Sequence, residues 1–127
     1  MSEPILKAFV LCDEIVDSPG GSGQKDLHGA GLSIIQVAGT FPAKRTFWVY
    51  IEVADQKSTG NIQLALMRAD SGRRLFFRVM PIEFPDQLHT TVVAVRVFDC
   101  TLPAAGVYFV ELWYDGEWRI DQRFEVI

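Results

Sequence analysis

The stretch Gly106-Val-Tyr-Phe-Val-Glu-Leu-Trp-Tyr114, Asp115-Gly116, Glu117-Trp-Arg-Ile-Asp-Gln-Arg-Phe-Glu-Val-Ile127 decides the fold class. Its second arm alternates, with Trp118, Ile120, Phe124 and Val126 on one face and Glu117, Arg119, Asp121, Arg123 and Glu125 on the other. A period of two marks a strand buried on one side. Asp-Gly between two such arms signals a hairpin, because glycine accepts the positive φ of the turn. A two-residue loop would set Leu112 against Arg119 and Val110 against Asp121. A three-residue loop, Tyr114-Asp115-Gly116, sets Leu112 against Trp118 and Val110 against Ile120, with Glu111 beside Arg119. Burial of one face predicts the three-residue loop.

Working outward, further segments read the same way. Ile5 to Cys12 is a compact apolar run and the first predicted strand. The Gly-rich stretch 17–26 predicts a flexible surface loop. Leu32 to Val37 is the next strand. Phe47 to Val53 alternates, with Phe47, Val49, Ile51 and Val53 assigned inward and Trp48 and Tyr50 outward. Asn61 to Arg68 pairs with Leu75 to Met80 through a two-residue Ser71-Gly72 loop, which aligns Leu66 with Phe77 and Leu64 with Val79 and sets Asp70 beside Arg73. Leu88 to Phe98 is apolar on both faces, the pattern of a central or double-covered strand. The sum is an all-β chain, an antiparallel sandwich of about eight strands with little or no helix. It is expected to form a single domain over residues 1–127.

Composition narrows the function classes. Of 127 residues, 49% are hydrophobic and 22% charged, near the globular average. The net charge of −4 argues against nucleic acid as a main partner. No secretory signal and no run long enough to span a bilayer is visible, which predicts a cytoplasmic chain with no membrane partner. Cys12 and Cys100 each end an apolar run and read as small buried hydrophobes rather than as a disulfide or zinc ligands.

Two ends of the chain carry a resemblance. Phe9-Val-Leu-Cys-Asp-Glu14 and Leu32-Ser-Ile-Ile-Gln-Val-Ala-Gly-Thr-Phe-Pro42 resemble the opening of a family of small uncharacterised bacterial proteins. The closing hairpin and Phe124-Glu-Val126 are similar to that family's last hairpin, and also to the last hairpin of immunoglobulin-like and C2-like sandwiches. The resemblance implies a bacterial cytoplasmic β-sandwich of unknown function and brings no catalytic motif. The stretch Pro19 to Lys25 is longer than the loop the family leads one to expect.

The candidate chemistries are few. Gly20-Gly-Ser-Gly-Gln-Lys-Asp26 superficially resembles a phosphate loop but lacks the Gly-Lys-Ser/Thr ending and a following helix. Asp13, Glu14, Asp17, Asp26 and Asp99 are weak calcium candidates at a sandwich end, although their spacing matches no fixed ligand pattern. His28 and His89 assemble no nucleophile–base–acid set with their sequence neighbours. Arg68, Arg73, Arg74 and Arg78 lie on or beside one hairpin and read as a solvated face. Trp48, Tyr50, Phe109 and Trp113 fall opposite the assigned core face, and outward aromatics in a cluster mark interfaces or sugar platforms.

The expectation is a non-enzymatic interaction or assembly module that uses these four aromatics, with a protein partner or self-association and no cofactor. The alternatives are a calcium- or carbohydrate-binding sandwich and an unrecognised hydrolase, the latter requiring His28 or His89 in a pocket beside a carboxylate and a nucleophile.

Overall fold

A computed structural model describes residues 4–20, 24–55, 58–84 and 90–127. His89 and positions 21–23 of the Gly-rich stretch lie outside these described residues. All ten elements among them are strands: β1 (Ile5–Cys12), β2 (Glu14–Asp17), β3 (Lys25–His28), β4 (Ile34–Ile35), β5 (Ala43–Ala54), β6 (Thr59–Arg68), β7 (Arg74–Glu83), β8 (Thr90–Leu102), β9 (Gly106–Tyr114) and β10 (Glu117–Val126). No helix among the described residues is long and apolar enough to cross a membrane. The count exceeds the expected eight because residues 14–28 contribute two short strands that period-two reasoning passes over. Only Ile34 and Ile35 of the predicted strand 32–37 are paired.

Three sheets form. The orders are β1-β5-β8, β4-β10-β9-β6-β7 and the two-stranded β2-β3. All pairings are antiparallel except β10 with β4. The two larger sheets share one buried cluster. The three-stranded sheet supplies Leu11, Phe47, Val49, Ile51, Val95 and Val97, and the five-stranded sheet supplies Ile62, Leu64, Leu66, Tyr108, Val110, Leu112 and Phe124. Phe124 bridges them, stacked on Tyr108 at 5.5 Å and meeting Phe47 edge-on at 5.7 Å.

The closing hairpin departs from both registers weighed above. Its loop is the two-residue Asp115-Gly116, since Tyr114 pairs with Glu117 and Trp113 with Trp118. Both loop residues have positive φ, 48° and 83°, as a tight hairpin turn of this hand requires. Left alone, that turn would place Arg119 against Leu112. A bulge between Trp118 and Ile120 absorbs one residue instead, so Ile120 pairs with Leu112 and Phe124 with Tyr108. Turn chemistry and burial are both satisfied, and Trp118 is left on the outer face, 50% exposed.

The β6–β7 hairpin is also shifted. Residues 69–73 form its connection, with the Gly72 amide donating to the Arg68 carbonyl at 2.8 Å. Leu66 pairs with Phe76 and Leu64 with Arg78, so Phe77 and Val79 turn outward, opposite Ala65 and Gln63. Asp70 pairs with Arg68 at 3.0 Å rather than with Arg73. The valine-rich β8 is not central. Among the described residues it pairs only with β5, and it exposes Val92 and Phe98.

Candidate functional site

Strand order divides the four outward aromatics. Trp48 and Tyr50 alternate with buried Phe47, Val49 and Ile51 on β5, in the three-stranded sheet. Phe109 and Trp113 alternate with buried Tyr108, Val110, Leu112 and Tyr114 on β9, in the five-stranded sheet. Each pair points away from the shared core, so the four do not form one surface.

The Trp48/Tyr50 side is partly covered by the hairpin of β2 and β3. Ser18, Gln24, Lys25 and Asp26 face Tyr50, Glu52, Thr90 and Val92 across a cleft of about 370 Å³. The Tyr50 hydroxyl donates to Glu52. Burial, then that bond and the Glu52 charge, push the Tyr50 hydroxyl up to about 12.

The Phe109/Trp113 side is wider, since it spans more strands. Cross-strand pairing sets its outward residues in rows. Trp118, Trp113, Gln63 and Val79 form one row across β10, β9, β6 and β7. Asp121, Glu111, Ala65 and Phe77 form the next, and Arg123, Phe109, Met67 and Arg74 the third. Phe77 is 47% exposed and Val79 48%. Ala65 is 1% exposed although it points outward, so the larger side chains around it close over the centre of the face. Seven of these twelve positions are apolar, interleaved with Gln63, Glu111, Asp121, Arg123 and Arg74, and Trp118, Phe77 and Val79 are the most exposed large hydrophobes of the face.

Charge is distributed unevenly on this face. Glu111 stands directly opposite Asp121, and like charges in that position repel. Among the described residues neither carboxylate has a side-chain hydrogen bond or an ion pair. On the far flank the Arg74 guanidinium lies 4.7 Å above the Phe77 ring.

The remaining candidates disperse. Asp13 pairs with Arg45 at 2.7 Å, Asp17 with Lys25, and Asp26 accepts from the Ser18 hydroxyl. Glu14 is exposed opposite His28, and Asp99 sits in a bulge of β8 at φ 51°, its amide donating to the Thr46 hydroxyl. Among the described residues no three His, Cys, Asp or Glu side chains gather as metal ligands. Cys12 and Cys100 are free and buried, on the two strands that flank β5. Two strand spacings, roughly 9 to 10 Å, separate those strands, beyond the reach of a disulfide. Burial raises both thiols, Cys100 to about 11.

Reasoning from sequence missed Trp118, Phe77, Val79 and Met67. Trp118 was within reach, because the Asp-Gly preference for a two-residue loop places it opposite Trp113. Phe77 was not, because the five-residue connection 69–73 carries no comparable signal.

The model of a family of unknown function, DUF6941, matches residues 7–127. Comparison with curated proteins finds no match.

Proposed function

The chain belongs to DUF6941, a family of unknown function, and we propose that it is a non-enzymatic protein-interaction module that docks through the outer face of its five-stranded sheet. The observation that carries this reading is the set of outward apolar side chains Trp118, Trp113, Phe109, Met67, Phe77 and Val79 on one sheet face, with Trp118, Phe77 and Val79 about half exposed. Solvating these side chains costs about 25 cal/mol per Å² of apolar surface, which a partner would recover.

The absence of enzymatic activity is part of the reading. The buried Asp55–Tyr114 pair is the arrangement closest to acid–base machinery among the described residues, and the crevice beside Tyr114 holds only about 20 Å³, room for little more than water. In architecture we read an immunoglobulin-like or C2-like sandwich. Support comes from the Tyr108 hydroxyl, which donates back to the Ala104 carbonyl at 2.5 Å, as the corner tyrosine of immunoglobulin-like domains does.

The test is affinity capture from a native lysate with the parent and with a folded Trp113→Ala/Trp118→Ala variant. A stoichiometric protein caught by the parent and lost from the variant is expected. Identical captures by both would end the reading.

A second reading has its own observation. The cleft beneath the β2–β3 hairpin sets the Tyr50 ring among Gln24, Lys25, Asp26, Glu52 and Thr90, a lining of one aromatic and several hydrogen-bonding groups suited to a small saccharide. A ligand that binds only the native state raises the melting temperature, so a panel of mono- and disaccharides read by thermal unfolding tests it. A Tyr50→Ala variant should lose any shift.

A further inference from the structure

We propose a second docking site on this molecule: the open edge of β8, which takes an extended acidic peptide as a further strand of the three-stranded sheet. The site lies on the other large sheet and is independent of the docking role argued above. β8 is 13 residues long, and among the described residues only β5 pairs with it. A strand paired on one side turns the N–H and C=O of every second residue away from its neighbour. Over residues 90–97 that edge is rich in β-branched side chains, with no proline and one charge, Arg96. The bulge at Phe98 and Asp99 ends it.

β7 stands across from this edge. The Thr91 hydroxyl donates to the Glu83 carbonyl at 2.8 Å, so the start of β8 meets the end of β7. Packed sheets cross at about 30°, which spreads two strands with distance from such a contact. The core-facing residues of β7 record the opening. Ile82 is buried, Met80 half-buried and Arg78 exposed, although Arg78 pairs with buried Leu64 and shares its face. Arg78 is five residues from Glu83 and Arg96 five from Thr91, so each stands roughly 17 Å along its strand from the contact.

The free edge therefore runs between two guanidiniums, Arg78 on the core side and Arg96 on the outer side, where it alternates with buried Val95 and Val97. Among the described residues neither has an ion pair, and Arg96 has only the Phe98 ring, 4.3 Å away. Asp26 and Glu52 lie at the Thr90 end, which confines the peptide's acidic positions to the Arg96 end. An added strand sends successive side chains to opposite sides of the sheet, so two adjacent carboxylates meet Arg96 and Arg78 together. A second copy's β8 carries the same arginine, with its one carboxylate in the bulge.

The probe is a displayed library of random ten-residue peptides, selected on the full chain at low salt. Enriched peptides are expected to be β-branched or aromatic around adjacent Asp or Glu. Their affinity should fall at least about tenfold in Arg78→Glu and in Arg96→Glu, because each sets like charge against the carboxylates. Lysine in place of a carboxylate should restore binding to Arg96→Glu. Methylation of alternate backbone nitrogens should abolish binding in one phase of the alternation and spare it in the other, since an edge pairs on one side only. Both arginines are exposed, and circular dichroism verifies that the variants fold.

A library without enrichment overturns the inference, as do peptides with no acidic preference, indifference to both reversals, or equal tolerance of both methylation patterns. Self-association that competes with the peptides gives the edge to a second copy and overturns it too. So does binding lost in Trp113→Ala/Trp118→Ala, which places the peptides on the five-stranded sheet. The docking role of that sheet fails separately, if lysate capture is unchanged by the same variant.

Discussion

The Tyr114 hydroxyl donates to the buried Asp55 carboxylate at 2.5 Å, across 59 positions of sequence, and ties the end of β5 to the end of β9. Asp55 is 3% exposed, and a carboxylate taken out of water needs such donors. Gly60 lets the tyrosine in, for a Cβ there would stand 2.3 Å from the Tyr114 hydroxyl oxygen. Tyr114→Phe is expected to cost about 1–3 kcal/mol, the penalty of removing a donor from a buried acceptor. Gly60→Ala should cost a similar ~1–3 kcal/mol through overpacking. Urea denaturation of the single variants and the double variant should show strong non-additivity, and simple additivity would argue that the two sites are independent.

Alkaline pH should unfold the chain ahead of ordinary surface titration. Burial favours the neutral forms of Tyr50, pushed up to about 12, and Cys100, pushed up to about 11. In the unfolded chain tyrosine titrates near 10 and cysteine near 8.5. A native state that holds its protons more tightly than the unfolded one is stabilised below those ordinary values, and the advantage is lost as pH rises through the native ones. The urea midpoint is expected to fall from about pH 9 to pH 12. Tyr50→Phe should flatten the upper part of that fall and Cys100→Ala the lower part.

Phe124 holds the two larger sheets in contact through Tyr108 on one side and Phe47 on the other. Truncation there leaves a void that neither sheet can fill alone. Phe124→Ala is expected to destabilise by about 3–5 kcal/mol, against less than ~1 kcal/mol for Val92→Ala on the exposed side of β8. Chemical denaturation checks both.

Much of the fold was legible because alternation reports burial directly. β1 matches its apolar run, and Phe47 to Val53 points inward and outward as its pattern requires. The failures share a physical cause. Alternation says which side of a strand is wet, but not which sheet the strand joins, so Trp48 and Phe109 looked like neighbours and are not. The double-faced apolar pattern of β8 signals a central strand only when both faces are covered, and Val92 and Phe98 are exposed. The candidate site was half visible. Trp113 and Phe109 stand out, whereas Phe77 and Val79 enter the face only through the shifted β6–β7 register.

The bulge at Arg119 leads to the last prediction. Arg119 and Ile120 together oppose Leu112, so one residue of β10 is surplus to regular pairing. Deleting Arg119 removes the surplus and leaves Trp118 against Trp113, Ile120 against Leu112 and Phe124 against Tyr108. The variant should fold at a cost of about 1–2 kcal/mol, from the loss of a largely buried side chain and its ion pair with Glu117. Deleting Gln122 shortens β10 by the same amount in the wrong place. To keep Phe124 inside, the bulge must flatten, which turns Arg119 and Asp121 inward against Leu112 and Val110. Charges on that buried face should cost ~3 kcal/mol or more. Urea unfolding of the two deletions compares them directly, and equal losses would mean that the bulge does not set the register.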